Sequence, residues 1–204
     1  MYKETVVENK SKPTSKDMKN LSPISAQVLR EKFGSTSHIY PNIKENLESL
    51  WKEVRDEPNI KTKMNDLTST IGTLYGYKPD LYLLLDHTYL IILAKIIIYL
   101  KLAANKPDRG KILEVINGKY FIDKGIANFL EEDFSLWLLS PKIENKSFAF
   151  FCTIVETLAN YDFSKIDEDI FRELYEEIVE RKERHQAGEY YTPEWLVQLI
   201  LNDV

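Results

Sequence analysis

The sequence predicts an all-α fold: an irregular helical bundle around one central apolar helix at about residues 80–104, preceded by a disordered N-terminal tail. Apolar residues recur at helical spacing along most of the chain beyond residue 40. One stretch, Leu81–Ala104, is apolar nearly all round, so other helices have to surround it. Only seven glycines and eight prolines occur in 204 residues, and no segment has the convincing alternation of a strand.

Composition and junctions divide the chain into three parts. Residues 1–40 are rich in Lys, Ser, Asn and Thr and carry excess positive charge, although the whole chain has a net charge of −5. They are expected to form a flexible tail, with a DNA-binding arm as the alternative, and one short helix at Ser25–Phe33 that ends at Gly34. Residues 41–163 are expected to form a helical spacer domain. Residues 164–204 are expected to begin a further domain.

Two helices are predicted at the start of the spacer. From Asn42 onward, apolar residues follow the i, i+3, i+4, i+7 rule, and Asn42 with Glu45 has the spacing of a capping box. Asp56–Pro58 should end this helix. A second helix is predicted at about Lys61–Leu74, with its apolar residues on one stripe.

The central helix has a start signal and a composition that also fits a membrane span. Asp80 is placed to cap it. Its length would cross a bilayer. Four polar residues interrupt it, and Lys95 near its centre would cost about 2.5–3.5 kcal/mol on insertion. We therefore expect the buried central helix of a soluble bundle, with a membrane anchor as the alternative. The four interrupting residues are Asp86, His87, Lys95 and Lys101.

Shorter helices are predicted after the central one. Lys111–Ile116 should form a helix closed by Asn117-Gly118, a pair typical of a left-handed C-terminal cap. Asp123–Leu130 and Glu131–Leu139 are predicted as short helices, and Ser147–Tyr161 as a longer apolar one.

The next predicted helix, Lys165–His185, has acidic residues in its first turn and basic residues in its last turn, which complements the helix dipole. Its acidic cluster is expected to be a solvated face. Gly188 should end the segment, and Pro193 then fits the first turn of a last helix with Thr192 as its N-cap. The acidic cluster consists of Glu173, Glu176, Glu177 and Glu180.

No self-contained catalytic set occurs in the sequence. Phosphate-binding glycine loops, nucleophile elbows and zinc-binding histidine pairs are all missing, and the three histidines lie on separate segments. The single Cys152 excludes an internal disulfide and favours a reducing, cytoplasmic setting. Asp86 and His87 could be a buried catalytic pair. Adjacent helix residues point about 100° apart, however, so we favour a polar pair that orients the bundle.

By its chemistry alone, Gly188–Glu194 favours an ordinary capped helix with aromatic neighbours. It also offers a second interpretation. A helix N-terminus presents unpaired N–H groups to an anion such as a carboxylate, and tyrosine rings can wall an apolar pocket.

The same residues belong to a longer pattern that resembles the start of an N6-adenine DNA methyltransferase domain. In that family a helix of the form L-x-x-x-Y-E precedes a basic stretch and G-x-[FY]-[YF]-T-P, known as motif X. The resemblance implies that Tyr191, Thr192 and Pro193 line the site for the methionine end of S-adenosylmethionine, with Thr192 in direct contact. The matching segments are Phe171–Glu176 (FRELYE), Arg181–Arg184 (RKER) and Gly188–Pro193 (GEYYTP).

Upstream segments extend the resemblance to about residues 42–204, with lower specificity. Asp86–Leu90 with Leu93–Lys95, and Gly125–Phe134 ending in Trp137, are similar to the helical region ahead of the methylase in large single-chain restriction–modification enzymes. In such proteins this region is a spacer that joins a nuclease or motor to the methylase.

Two family motifs do not occur in these 204 residues: D-P-x-C-G-S-G, which binds the cofactor, and N-P-P-[YF], which holds the flipped adenine. The resemblance therefore implies an N-terminal fragment of a S-adenosylmethionine-dependent, adenine-specific DNA methyltransferase of a restriction–modification system, without its catalytic core. The parent would be an enzyme and this chain alone inactive. Expected partners are DNA, through the parent, but no membrane and no metal. The alternative is a non-catalytic helical adaptor.

Overall fold

Helices make up most of the part of the chain that the structure, a computed structural model, describes, and this confirms the predicted all-α class. The described residues are 21–76, 79–103, 105–126, 134–164 and 170–179. In chain order, the α-helices are α1 (Ala26–Phe33), α2 (Tyr40–Val54), α3 (Pro58–Tyr75), α4 (Leu81–Ala103), α5 (Arg109–Ile116), α6 (Lys119–Ile122), α7 (Glu144–Leu158) and α8 (Ile170–Ile178). A 3₁₀ helix spans Phe134–Leu139.

The predicted central apolar helix is α4, and it begins where the sequence places it. Asp80 Oδ1 accepts a hydrogen bond from the backbone N–H of Leu83 at 2.8 Å, which caps the helix. Helices α2, α5, α7 and α8 and the 3₁₀ helix all contact it. The helix is long and apolar enough to cross a membrane, and 61% of its most apolar 18-residue stretch is buried inside the bundle. In this structure it therefore serves as the core.

Lys95 is fully buried on α4 and has a defined partner. Its Nζ donates to the carbonyl oxygen of Ile116 at 2.6 Å. Ile116 is the last residue of α5, where carbonyl groups have no partner within the helix. The negative end of the α5 dipole also favours a cation there. The charge that would oppose membrane insertion thus caps a neighbouring helix.

Four consecutive residues of α4, Asp86–Tyr89, each contact a different neighbour. Asp86 accepts from Lys44 of α2, and the ring of His87 lies 6.0 Å from that of Tyr175 of α8. Thr88 Oγ1 accepts from Trp137 Nε1 of the 3₁₀ helix at 3.3 Å. The hydroxyl of Tyr89 donates to the carbonyl of Phe33 in α1 at 3.1 Å. Successive helix residues rotate by about 100°, so these four side chains reach four different elements around α4.

Within the range predicted as a tail, residues 1–20 lie outside the described residues, and the short helix predicted at Ser25–Phe33 forms and packs on the bundle. Helix α1 forms within that range, capped by Ser25, whose Oγ accepts from the backbone N–H of Val28, and followed by Gly34 as predicted. Leu29 and Phe33 are fully buried. Helix α1 packs mainly on α8, a partner so distant in sequence that no local pattern indicates it.

The sequence predicts no strand, and the structure corrects this with one very short parallel pair. Ser22–Pro23 (β1) pairs with Tyr161–Asp162 (β2), and the backbone N–H of Ile24 donates to the carbonyl of Asp162 at 3.1 Å. Two-residue strands are too short to produce an alternating pattern. The pair holds the segment before α1 against the residues after α7.

Several predicted helix boundaries move. Helix α2 begins at Tyr40 rather than Asn42, with Pro41 in its first turn, and the predicted capping box does not form. Helix α3 begins at Pro58, three residues before the predicted start. Both starts follow from the fixed φ of proline, which suits a first helical turn and needs no N–H donor there. Helix α7 spans Glu144–Leu158 rather than Ser147–Tyr161.

The region after α5 is also rearranged. Gly118 has φ 84°, which confirms the left-handed turn predicted at Asn117-Gly118. A short helix, α6, follows immediately where none is predicted. Residues 123–126 form a turn instead of the start of the predicted Asp123–Leu130 helix. The rest of that helix and the start of the next lie outside the described residues.

Candidate functional site

The predicted cofactor-binding residues Tyr191, Thr192 and Pro193 lie outside the described residues, as do Gly188 and the basic end of the predicted Lys165–His185 helix. The described part of the methyltransferase-like pattern is α8. The candidate site is therefore the junction at which α8 packs against α1 and α4.

The apolar face of α8 belongs to the core of the bundle. Ile170, Leu174 and Ile178 recur every fourth residue and are 1–3% exposed. They pack in the same hydrophobic cluster as α1 and α4. Burial of each large apolar side chain contributes about 1.5–3 kcal/mol to stability, so this face stabilises the packing of α8 on the bundle. Helix α8, which the sequence analysis assigns to the further domain at residues 164–204, packs on the spacer through this face.

A polar clamp adds to this contact on one side of α8. The carboxylate of Glu177 accepts hydrogen bonds from Ser35 Oγ at 3.1 Å and from Thr36 Oγ1 at 3.2 Å, just after α1. Gly34 permits this approach: a Cβ at that position would lie 2.7 Å from Cγ of Glu177 and 2.5 Å from the carbonyl oxygen of Arg30. Glu177 was expected on a solvated face. The Ser-Thr pair that holds it is not predicted, because it lies 141–142 residues away.

Asp86 and His87 diverge as helix geometry predicts. The Asp86 carboxylate accepts from the hydroxyl of Tyr40 and forms an ion pair with Lys44. His87 turns toward α8 and its Nδ1 bonds the carbonyl of Leu83 at 2.8 Å. With different neighbours, the two side chains do not form a catalytic pair.

Burial dominates the electrostatics of Asp86. Loss of water raises the pKa of this carboxyl above its ordinary value of 3.8, and this outweighs the hydrogen bonds from Lys44 and Tyr40, which lower it. The Lys44 ammonium is itself held over the rings of Tyr40 and Tyr82, 5.6 and 5.2 Å from their centroids. Lys44 also donates to the carbonyl of Tyr82 at 3.2 Å, so the group ties α2 to the first turn of α4.

A polar cleft of about 420 Å³ opens between these two contacts. It has three carboxyl groups and one ammonium, a balance that suits a ligand with N–H or O–H donors. All three carboxyl groups already accept hydrogen bonds within the protein: Asp80 at the start of α4, Asp86 from Tyr40 and Lys44, and Glu177 from Ser35 and Thr36. The lining residues are Ser35, Tyr40, Lys44, Asp80, Tyr82, Leu83, Asp86, Glu177 and Ile178.

Two other kinds of site, a metal centre and a reactive cysteine, find no support in the part of the chain that the structure describes. Those residues contain no group of three His, Cys, Asp or Glu placed to hold a metal ion. Cys152 is half-buried on α7, and burial raises the pKa of its thiol, so the nucleophilic thiolate is disfavoured.

Comparison with known proteins gives no assignment. No protein-family model matches the chain, no curated protein matches it, and no solved structure matches its fold.

Gly34→Ala should weaken the contact between α1 and α8. The added methyl group meets backbone and the Glu177 side chain, and such overpacking destabilises by about 1–3 kcal/mol. The measurement is the free energy of unfolding from urea denaturation. Gly110→Ala is the matched control: its Cβ would meet only Asp108 Oδ1 at 3.6 Å, so it should stabilise α5 by about 0.5–1 kcal/mol. Equal effects of the two substitutions would contradict the close approach at Gly34.

Asp86→Asn should change how stability depends on pH. A carboxyl whose pKa is raised by folding stabilises fully below its unfolded value of 3.8, and that contribution is lost as pH rises through the folded value. The unfolding free energy of the native chain minus that of the variant should therefore fall as pH rises from 3.8, then level off. Urea denaturation across a pH series measures it. A difference that grows with pH would mean that Lys44 outweighs burial.

Proposed function

We propose that this chain is the helical spacer and the cofactor-side start of a S-adenosylmethionine-dependent, adenine-specific DNA methyltransferase of a restriction–modification system. The observation that carries the proposal is the resemblance of Gly188–Pro193 to motif X, at its family spacing after Phe171–Glu176. The absence of any family or structural match neither adds to this resemblance nor removes it.

The packing of α8 supports a positioning role for the bundle. The FRELYE segment belongs to a helix that α1 and α4 hold through Leu174, Tyr175 and Glu177. The chain therefore has a defined position on a packed core as far as Val179. A cofactor-binding segment that follows such an anchor loses less conformational entropy when it is ordered around a ligand.

In the proposed enzyme, Tyr191, Thr192 and Pro193 line the pocket for the methionine end of S-adenosylmethionine. Thr192 would contribute a hydroxyl, and the N-terminus of the helix predicted at Pro193 would offer N–H groups to the cofactor carboxylate. The bound cofactor would supply a methyl group for N6 of a flipped adenine; the cofactor would leave as S-adenosylhomocysteine and N6 would lose one proton. The motifs that hold the adenine do not occur in these 204 residues, so this chain contributes binding and orientation rather than the reacting groups.

A protein with this function would act in the cytoplasm, with DNA as its partner. It would require neither a metal nor a membrane. In that setting α4 acts as a core helix rather than a membrane span. Its buried Lys95, bonded to the end of α5, supports this assignment.

The second candidate is a non-catalytic helical adaptor. It is favoured by the lack of both family motifs, D-P-x-C-G-S-G and N-P-P-[YF], in these 204 residues. An adaptor would bind its partner through the surface of the bundle and would transfer no methyl group.

Thr192→Ala tests the proposed cofactor contact in the product of the reading frame continued past Val204. If D-P-x-C-G-S-G and N-P-P-[YF] follow, that product should transfer labelled methyl groups to adenine in duplex DNA. Loss of one hydrogen bond, worth about 0.5–1.5 kcal/mol, should raise KM for S-adenosylmethionine about 2- to 13-fold. Thr153→Ala on the exposed face of α7 is the control and should leave KM unchanged.

The 204 residues alone should transfer no methyl group in the same assay. Transfer by the pure chain would show that it contains reacting groups of its own. A continued reading frame without either motif, together with no binding of S-adenosylmethionine, would favour the adaptor.

A further inference from the structure

Much of the protein that covers α4 is synthesised after α4 itself. Among the elements that contact it, α1 and α2 precede it in the chain, whereas α5, the 3₁₀ helix, α7 and α8 follow. A chain is synthesised from its N-terminus, and a domain folds as a unit once its chain is complete. The nascent protein therefore presents α4 before four of the elements that bury its apolar side chains have been made.

An uncovered α4 has the properties of a membrane-spanning segment. It has 23 residues, and about 20 mostly apolar residues are enough to cross the hydrocarbon core of a bilayer. In the finished bundle, 61% of its most apolar 18-residue stretch is buried. The surface that forms the core of the protein is thus the same surface that a bilayer would accept.

Lys95 lies where a charge opposes insertion most strongly. The midpoint of Leu81–Ala103 is Ile92, and Lys95 follows it by less than one helical turn. A lysine at the centre of a spanning helix is among the most costly residues for insertion. Lys101, by contrast, lies in the last turn of α4, where a long side chain can reach the lipid headgroups.

The hydrogen bond between Lys95 and α5 is compatible only with the soluble bundle. The Lys95 Nζ donates to the carbonyl oxygen of Ile116 at 2.6 Å, and the side chain is fully buried. Ile116 ends α5, whose residues Arg109, Lys111 and Glu114 make it too polar to enter a bilayer with α4. Insertion of α4 would therefore take the ammonium away from this acceptor, at the cost of a desolvated polar group.

We propose that Lys95 keeps the newly made chain out of membranes until the later helices cover α4. Before α5 is made, the ammonium makes insertion of α4 unfavourable. Once α5 packs on α4, the same ammonium bonds the last residue of α5. One side chain thus acts first on the location of the chain and then on its fold, whether or not the chain belongs to a methyltransferase.

The test follows the membrane integration of the full chain during synthesis. The chain is translated in a cell-free system that contains endoplasmic-reticulum microsomes, extracted with alkaline carbonate and centrifuged in a flotation gradient. Integrated protein floats with the membranes, whereas aggregates sink, so a folding defect is not mistaken for insertion. The test variant is Lys95→Leu. Lys95→Arg keeps the charge, and Lys101→Leu makes the same substitution in the last turn of α4.

Only Lys95→Leu should give a carbonate-resistant, floating fraction. Leucine and lysine lie near opposite ends of the scale for insertion at a helix centre, so this substitution should shift the insertion equilibrium by at least about 100-fold. The native chain and Lys95→Arg should stay soluble, because both have a cation near the midpoint. Lys101→Leu should also stay soluble, because it leaves Lys95 in place.

Three results would overturn the inference. Flotation of the native chain after carbonate extraction would show that Lys95 does not keep α4 out of the membrane. Equal flotation of Lys95→Leu and Lys101→Leu would mean that the total apolarity of α4, rather than the position of the charge, decides its location. A Lys95→Leu protein that stays soluble, or that only sinks as aggregate, would show that α4 does not insert even without the central charge.

Discussion

The rest of the structure depends on one constraint: α4 has to be buried on every side. A 23-residue helix that is apolar nearly all round gains stability only if neighbours cover it, and each large side chain covered contributes about 1.5–3 kcal/mol. Apolar burial has no direction, so it does not decide which neighbour lies where. The side chains of Asp86–Tyr89 and Lys95 determine which neighbour lies where, since each bonds or contacts a different helix.

This arrangement links the spacer to the proposed function. Asp86–Leu90 is one of the segments that resemble the helical region of restriction–modification methylases, and in the structure it is where α1, α2, α8 and the 3₁₀ helix meet α4. His87 contacts α8, and Tyr89 donates a hydrogen bond to α1. Glu177 of α8 accepts hydrogen bonds from the residues that follow α1. The same contacts therefore build the core and hold α8 in place on it.

Local signals in the sequence predicted the features that depend on one segment only. Asp80, Ser25 and Gly118 act at helix ends as expected, because capping and a left-handed turn need only neighbouring residues. Features that need a distant partner were missed: the helix at Ser25–Phe33 was predicted, but its packing on α8 was not, because α8 lies far along the chain. In the candidate site, helix geometry predicted that Asp86 and His87 diverge. The partners Lys44, Ser35 and Thr36 could not be predicted, since only tertiary packing brings them there.

Native-state hydrogen exchange most directly tests the claim that α8 is part of the bundle rather than the start of a separate domain. The amides of Leu174 and Ile178 in α8, and of Ile92 and Ile96 in α4, are compared over a series of low denaturant concentrations. If α8 is built into the core, its slowest amides exchange with the same opening free energy and denaturant dependence as those of α4. Exchange of α8 through a smaller opening, while α4 stays protected, would contradict the account.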